Sequence, residues 1–413
     1  MGIKTVAILG AGNRGMDVYG KLIKERNDLK IVAVAEKNKL KRNKFAKKHS
    51  IPPIKQFNSW EDLLIEDKLA DGIIIATGDK DHYEPLIKSL KKGYKVLCEK
   101  PITDNYKEMN SLYNDYSEYS NDVMVSHVLR YTPFFRKIKE IIKNGEIGSI
   151  RFINLIENIG FFHFAHSYVR GNWRNKSVGA PIILAKSCHD LDILYWLLES
   201  QYLKVYSDTS KKYFNKENII EGAGYRCLQC NVEDTCPYSA KKIYLNTEEG
   251  WPVSTITEDL SESGRINALN NTNYGKCVYR SDNEQHDVQS LLLKFNNGIN
   301  VHFTLHAFSK EMTRKINING TYGEIEGNLD NGTIEIKPFL KNNRKIKVDH
   351  TGGHAGGDEK LIDSFASFLS NKSDNITNLL TSLESHFAAL AAEQSRIEDR
   401  AIYLEELRRK KIE

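Results

Sequence analysis

Residues 3–15 read I-K-T-V-A-I-L-G-A-G-N-R-G, and no other stretch narrows the choice of fold as far. A short apolar strand runs directly into Gly10-x-Gly12-x-x-Gly15, with a helix-forming stretch behind it. Gly10 permits the tight turn out of the strand. Gly12 removes a side chain, so that backbone N–H groups can approach a pyrophosphate. Gly15 lets the following helix pack on the sheet. A second apolar strand, residues 30–35, ends at Glu36, 21 residues beyond Gly15. An acid at that place can accept hydrogen bonds from the ribose hydroxyls of an adenosine. A glycine triplet alone is weak evidence; with the strand before it and the acid after it, the run points to a dinucleotide site.

The alternation of strand and helix continues beyond the loop. Strands are expected at 4–9, 31–35, 72–76, 95–98 and 123–126, with helices at 16–26, 39–49 and 83–92. Such alternation builds a parallel sheet. After a helix at 133–144 the character changes, and strands predominate at 150–157, 203–208, 288–295, 299–307, 314–320 and 333–337. Asn297-Gly298 and Asn331-Gly332 mark hairpins, so this second sheet is expected to be mostly antiparallel. Two amphipathic helices close the chain. Leu361, Phe365 and Leu369 share one face; Leu379, Leu383, Phe387 and Leu390 share another. The charged residues 405–413 are expected to form a solvated helix end. The organisation predicted is a nucleotide domain at 1–126 and an α+β domain at 127–413, the latter interrupted by a polar, Asn-rich insertion at about 210–279. An insertion of that length stays ordered only if something pins it.

Six cysteines are present, and three of them form Cys227-x2-Cys230-x5-Cys236 inside the insertion. With Cys277 as a fourth, they suggest a closed tetrahedral site for a structural Zn²⁺, whose binding free energy would order the segment. Cys98 and Cys188 read as small buried residues. The formal charge of the 413 residues is +5 and the basic residues are scattered, which gives no nucleic-acid footprint. No apolar run approaches the ~20 residues of a membrane span. The chain enters its first strand at once, leaving no room for a signal peptide, and a cytoplasmic location is expected.

Two further motifs carry chemistry. Cys98-Glu99-Lys100-Pro101 follows the strand 94–97, and ligands of parallel sheets sit at the carboxyl ends of strands. Lys100 therefore lies towards the nicotinamide end of a bound cofactor, where a desolvated amine can move a substrate hydroxyl proton. The run Lys186-Ser187-Cys188-His189-Asp190-Leu191-Asp192 opens a helical stretch, with Lys186 and His189 three apart on one face.

The glycine triplet, Glu-Lys-Pro and His-Asp-Leu-Asp, in this order, resemble the Gfo/Idh/MocA family of nicotinamide-dependent oxidoreductases. The resemblance runs along nearly the whole chain and is least secure in the insertion. It implies a Rossmann domain followed by a domain with an open, mostly antiparallel sheet, assembled as a homodimer or homotetramer. It also implies that Gly10, Gly12, Asn13, Arg14, Gly15 and Glu36 form the cofactor loop and ribose acid. Thr77, Asp79 and His82 would line the loop beside the cofactor, and Glu99 and Lys100 would be the Glu-Lys pair with the lysine catalytic. His189 would be the active-site histidine, and Arg130 would lie near substrate and nicotinamide. One departure matters. Many members carry an aspartate four residues before the histidine, where this chain has Ala185 with Lys186 beside it. Lys186 is then the candidate to bind or polarise a substrate oxygen.

Glu36 favours NAD, because its charge repels a 2′-phosphate. Lys37, Lys39, Lys41 and Arg42 blunt that preference and leave NADP open. The segment 161–174 mixes aromatics, histidines and arginines; it suits a sugar wall or a loop packed on itself. His350-Thr-Gly-Gly-His354-Ala-Gly-Gly-Asp358 reads as a close approach to a ligand or as a flexible turn. Together these readings predict hydride transfer between NAD and a hydroxyl-bearing carbon of a sugar, polyol or sugar derivative. The rivals are an NAD-assisted glycoside hydrolase or lyase working through a transient keto-sugar, and a non-catalytic NAD-binding sensor.

Overall fold

The computed structural model describes residues 2–408 apart from 178, 212 and 373. The first sheet has six parallel strands: β1 Lys4–Leu9, β2 Leu29–Ala35, β3 Gln56–Phe57, β4 Gly72–Ile75, β5 Lys95–Cys98 and β6 Val123–Val125. Their order is β3-β2-β1-β4-β5-β6. The order reverses at β1, and that switch point is where a crevice opens beyond the strand ends. The central residues of β1, β2, β4, β5 and β6 are apolar because both faces are covered. Ala7, Leu9, Ile73 and Ile75 face one core, while Val6, Ile8, Ile31 and Ile74 face the other. That second core is closed by the Gly357–Leu369 helix near the chain's end, through Leu361, Phe365 and Leu369.

The second sheet has nine strands: β7 Ile150–Asn158, β8 Tyr202–Ser210, β9 Val288–Phe295, β10 Asn300–His306, β11 Thr313–Gly320, β12 Gly323–Asn328, β13 Thr333–Pro338, β14 Arg344–Lys347 and β15 Ile402–Tyr403. The order is β14-β13-β12-β11-β7-β10-β9-β8-β15. Only β7 and β10 pair in parallel; the other neighbours are antiparallel. The expected strands are therefore present, and β12, β14 and β15 add to them. Gly323-Glu-Ile-Glu-Gly-Asn buries just one large apolar side chain, Ile325, so its alternation is faint. The Leu379–Glu398 helix lies against β8 and the Cys188–Leu198 helix. Asn378 caps it by accepting from the Thr381 N–H at 3.0 Å. Of the solvated helix end expected at 405–413, residues 409–413 lie outside the described residues.

The insertion is ordered by side chains. A satellite core gathers Cys227, Ala240, Ile243, Tyr244, Ile256, Ala268 and Leu269, with Phe162 and Tyr274 packed against it. The Arg170 guanidinium reaches in from the second domain, donating to the Lys276 and Tyr238 carbonyls, both at 2.8 Å. His166 stacks on Tyr274 at 5.2 Å and bonds the Tyr244 hydroxyl at 2.8 Å.

Candidate active site

The glycine loop is built as its residues require. A Cβ on Gly10 would lie 2.4 Å from the Ala76 carbonyl oxygen, and one on Gly15 would lie 2.0 Å from the Gly10 oxygen. A Cβ on Gly12 would meet nothing within 4 Å: its backbone faces open space, as a pyrophosphate cradle needs. Met16 N–H already bonds the Gly12 carbonyl at 2.7 Å. Glu36 stands at the end of β2. One of its carboxylate oxygens accepts from the Ala11 N–H at 2.7 Å and the other from the Asn38 N–H at 2.8 Å. Arg42, one of the cations expected to offset it, instead donates to the Glu36 main-chain oxygen at 2.6 Å. These residues fit a bound dinucleotide.

Arg14 turns away from the loop and inward. It donates to Glu99 at 2.5 Å, to Asp358 at 2.9 Å and to the Tyr19 hydroxyl at 2.8 Å. Burial alone would raise the Glu99 carboxyl, but Arg14, then Lys100, hold it at about 2. His82 spans the neighbouring loop, with Nδ1 2.6 Å from the Pro101 oxygen and Nε2 3.2 Å from the Thr77 oxygen. Asp79 accepts from the Trp173 indole at 2.7 Å, which ties this loop to the second domain. Asn13 is at the mouth of the loop, 3.4 Å from Asp17.

Lys100 follows β5, as the sequence places it. Its backbone N–H meets the Ser126 hydroxyl at 3.2 Å, and its Nζ donates to the Ala185 carbonyl at 2.6 Å. The carbonyl of the residue that replaces the usual aspartate therefore holds the amine. His189 lies in the first turn of the Cys188–Leu198 helix. Burial, then the charge of Lys100, pushes its imidazole well below the ordinary value, so it stays neutral. Lys186 precedes that helix, and its amine is 3.4 Å from Glu157. Burial lowers the Lys186 pKa and Glu157 opposes the shift.

Sequence reasoning missed the acids and the arginine around Lys186. Glu157 ends β7 and is the register partner of Arg314 in β11. The Arg314 Nε is 3.0 Å from Glu157 and 2.6 Å from Asp190. Burial raises the Asp190 carboxyl above its ordinary range against the pull of Arg314. The signal was present only in strand register: two opposite charges on paired strands. Tyr168 and His163 also join this group electrostatically. Burial, then Glu157, raises the Tyr168 phenol, while burial, then Lys186, lowers His163. The rest of 161–174 packs largely on the insertion: Phe164 stacks on Phe214 at 5.3 Å, Phe162 meets the satellite core, and Arg170 is 1% exposed.

Arg130 packs against the Cys188–Leu198 helix. It is 2% exposed and grips Asp192 with two bonds of 2.7 and 2.6 Å, bracing the floor under His127 and His189. One expectation needs correction: the structural zinc at Cys227, Cys230, Cys236 and Cys277 is not supported. The four cysteines do line one small cavity. Yet among the described residues no group of three or more His, Cys, Asp or Glu side chains is set to hold a metal ion. The order that zinc was invoked to explain comes from Arg170, which also donates to the Cys227 sulfur at 3.4 Å, and from the satellite core. Cys98 and Cys188 are fully buried, and burial raises the Cys188 thiol to about 12. Among the described residues no helix is long and apolar enough to cross a membrane.

Comparison with known proteins agrees with this geometry. The profile described as "Oxidoreductase family, NAD-binding Rossmann fold" matches residues 4–127. That described as "Oxidoreductase family, C-terminal alpha/beta domain" matches residues 139–404. The Bacillus subtilis protein YteT is 25% identical over 391 residues, covering 87% of this chain and 88% of its own. Inositol 2-dehydrogenase of Corynebacterium glutamicum is 24% identical over 206 residues, 48% of this chain and 56% of that protein. The 2,7-anhydro-N-acetylneuraminate hydratase of Mediterraneibacter gnavus is 28% identical over 200 residues, 48% of this chain and 50% of that protein. For these last two, the match spans about half of the relative's length. With both profiles matched across a glycine loop, a Glu-Lys-Pro corner and an open second sheet, the chain belongs to the Gfo/Idh/MocA family of NAD-binding oxidoreductases.

Proposed function

We propose that this protein transfers hydride between NAD and a hydroxyl-bearing carbon of a sugar, polyol or sugar derivative. The observation that carries the reading is the placement of Lys100. Its Nζ is fixed on the Ala185 carbonyl at the end of β5, among His189, Lys186 and Glu157. Bound NAD supplies the hydride acceptor; the protein aligns the substrate and handles the proton. Lys100 takes the hydroxyl proton as the carbinol is oxidised. Lys186, with its charge balanced by Glu157, binds and polarises a substrate oxygen, and neutral His189 offers a second hydrogen-bonding group. Glu36 opposes a 2′-phosphate, which favours NAD over NADP. In this reading residues 1–126 hold the cofactor and 127–413 hold the substrate and the contacts of a homodimer or homotetramer.

The test is a panel of sugars, polyols and aryl glycosides incubated with NAD⁺, following absorbance at 340 nm and release of the aglycone. NADH formation with the free sugar or polyol supports the dehydrogenase. Absence of hydride transfer across the whole panel overturns it. A second reading is supported by the hydratase relative: cleavage or elimination through a transient ketone, with no net NADH.

A further inference from the structure

The insertion brings one side chain to the candidate site that the proposed hydride transfer leaves without a task. Trp251 lies in the loop between the Ala240–Tyr244 helix and the Val253–Thr255 turn, and it is 39% exposed. The chain has four tryptophans, and Trp60, Trp173 and Trp196 all pack against the main core. Among the described residues, Trp251 belongs to no core cluster. A single exposed apolar side chain is ordinary in itself. This one is held by other rings: His163 at 4.8 Å, edge to face, His166 at 5.5 Å and Phe162 at 6.0 Å. The indole is thus fixed in place while much of its surface stays open.

His163 carries the aromatic row onward. Its ring is 5.9 Å from that of Tyr168, which is 6.2 Å from Trp173, and Trp173 holds Asp79 beside the cofactor site. Four rings therefore run from the cofactor loop into the insertion. Lys186 acts electrostatically on His163, and Glu157 on Tyr168, so the row passes beside the candidate active site. Such a row offers a face to more than one pyranose ring. An aromatic ring is negative over its face, and the C–H bonds of a pyranose present weakly positive hydrogens that rest on it. The sugar hydroxyls then project to polar heads, here the Tyr168 phenol and the neutral His163 imidazole. Charge narrows the class. Glu248 and Glu249 are exposed in the same loop as Trp251, and they repel a carboxylate or sulfate on a ring stacked there.

We propose that Trp251 forms a second sugar subsite, and that the substrate is an uncharged disaccharide or longer glycoside with its oxidised ring at Lys100 and the next ring on the indole. This rests on the hydride-transfer reading above and narrows its substrate class. The ring at Lys100 gives up one hydride, to NAD⁺, and one hydroxyl proton, to Lys100. No bond between the rings is made or broken, and the product is a keto-glycoside with its linkage intact. The contribution of Trp251 is to binding: it holds the neighbouring ring, and through it fixes which carbinol faces the cofactor.

The test sets cellobiose, maltose and lactose each against the methyl glycoside of its own non-reducing ring. Oxidation with NAD⁺ is read at 340 nm, and binding of the same sugars to the NAD-loaded protein is read by calorimetry. At least one disaccharide should exceed its methyl glycoside by about tenfold or more in kcat/KM, the worth of one aromatic stack. Trp251→Ala should bring that ratio within about twofold of one. Trp251→Phe, which keeps an aromatic face, should retain at least about a third of it. NAD affinity checks that each variant is folded. The same disaccharide with a carboxylate on its reducing ring should bind at least about threefold more weakly; equal binding overturns the uncharged class. A wild-type ratio below about twofold for every pair overturns the subsite and leaves the oxidoreductase standing. So does an alanine variant that keeps the wild-type ratio. Disaccharide binding that depends on Trp251, with no oxidation of any probe, keeps the subsite and overturns the hydride transfer. Neither oxidation nor binding of any probe overturns both.

Discussion

The glycine loop and the 210–279 insertion are both irregular backbone, and they are held by opposite means. The loop is shaped from within. Gly10 and Gly15 leave no space for a side chain, and its hydrogen bonds run to adjacent strands. The insertion is shaped from without. Arg170, His166 and Phe162 come from a segment more than forty residues earlier and supply the contacts that its own polar sequence lacks. The comparison teaches where sequence carries its own instructions. A turn that needs φ above zero or a close approach announces itself in glycine, whereas a segment organised by a distant arginine announces nothing.

The largest effect is expected beside the loop. Lys100→Ala should lower turnover about 1000-fold, while the NAD affinity measured by calorimetry moves less than about threefold. Gly15→Ala should weaken NAD binding at least about 100-fold, because the added Cβ forces the loop off the Gly10 carbonyl. Full retention of affinity would mean that the loop is not shaped from within.

Smaller effects are expected on the insertion. Arg170→Met leaves the Lys276 and Tyr238 carbonyls without their donor and should cost about 2–3 kcal/mol. Limited proteolysis should then open residues 223–280 first, with NAD affinity unaltered. Equal loosening of both halves would refute the division. His166 gives a pH dependence. Burial, then Arg170, lowers it from 6.5 to about 3. The unfolded chain therefore binds a proton as pH falls through 6.5, and the folded protein does not until about 3. Stability is lost as the pH drops through that window, by about 2 kcal/mol at pH 5. Urea midpoints at pH 7 and pH 5 check this, and His166→Asn should flatten the dependence. Smallest of all, EDTA should leave the melting temperature and the proteolytic pattern of the insertion where they were. A fall in stability with release of one zinc per chain would return the metal to the cysteine cluster.

What could be read from the residues follows the same division. The strands β1, β2, β4, β5 and β6 were legible because burial on both faces makes their central residues consecutively apolar. Lys100 was legible because a strand end fixes its place. Glu157 and Arg314 were not, since only the pairing of β7 with β11, more than 150 residues apart, brings them together. The Arg130–Asp192 pair was not legible either, since it joins residues 62 apart in sequence. The zinc expectation failed because spacing shows that ligands can converge and says nothing of a guanidinium already donating to one of their sulfurs.

The Gly357–Leu369 helix covers a face of the first sheet, with Leu369 and Phe365 seated against Gly72. Some 230 residues of chain are made between the last strand of that sheet and this helix. At about 5–20 residues per second, the growing chain carries a bare apolar flank for roughly 10–50 seconds before its cover emerges. A nascent protein of this design therefore depends on the ribosome's surroundings to shield it, and a fragment ending near residue 126 would leave that flank open for good.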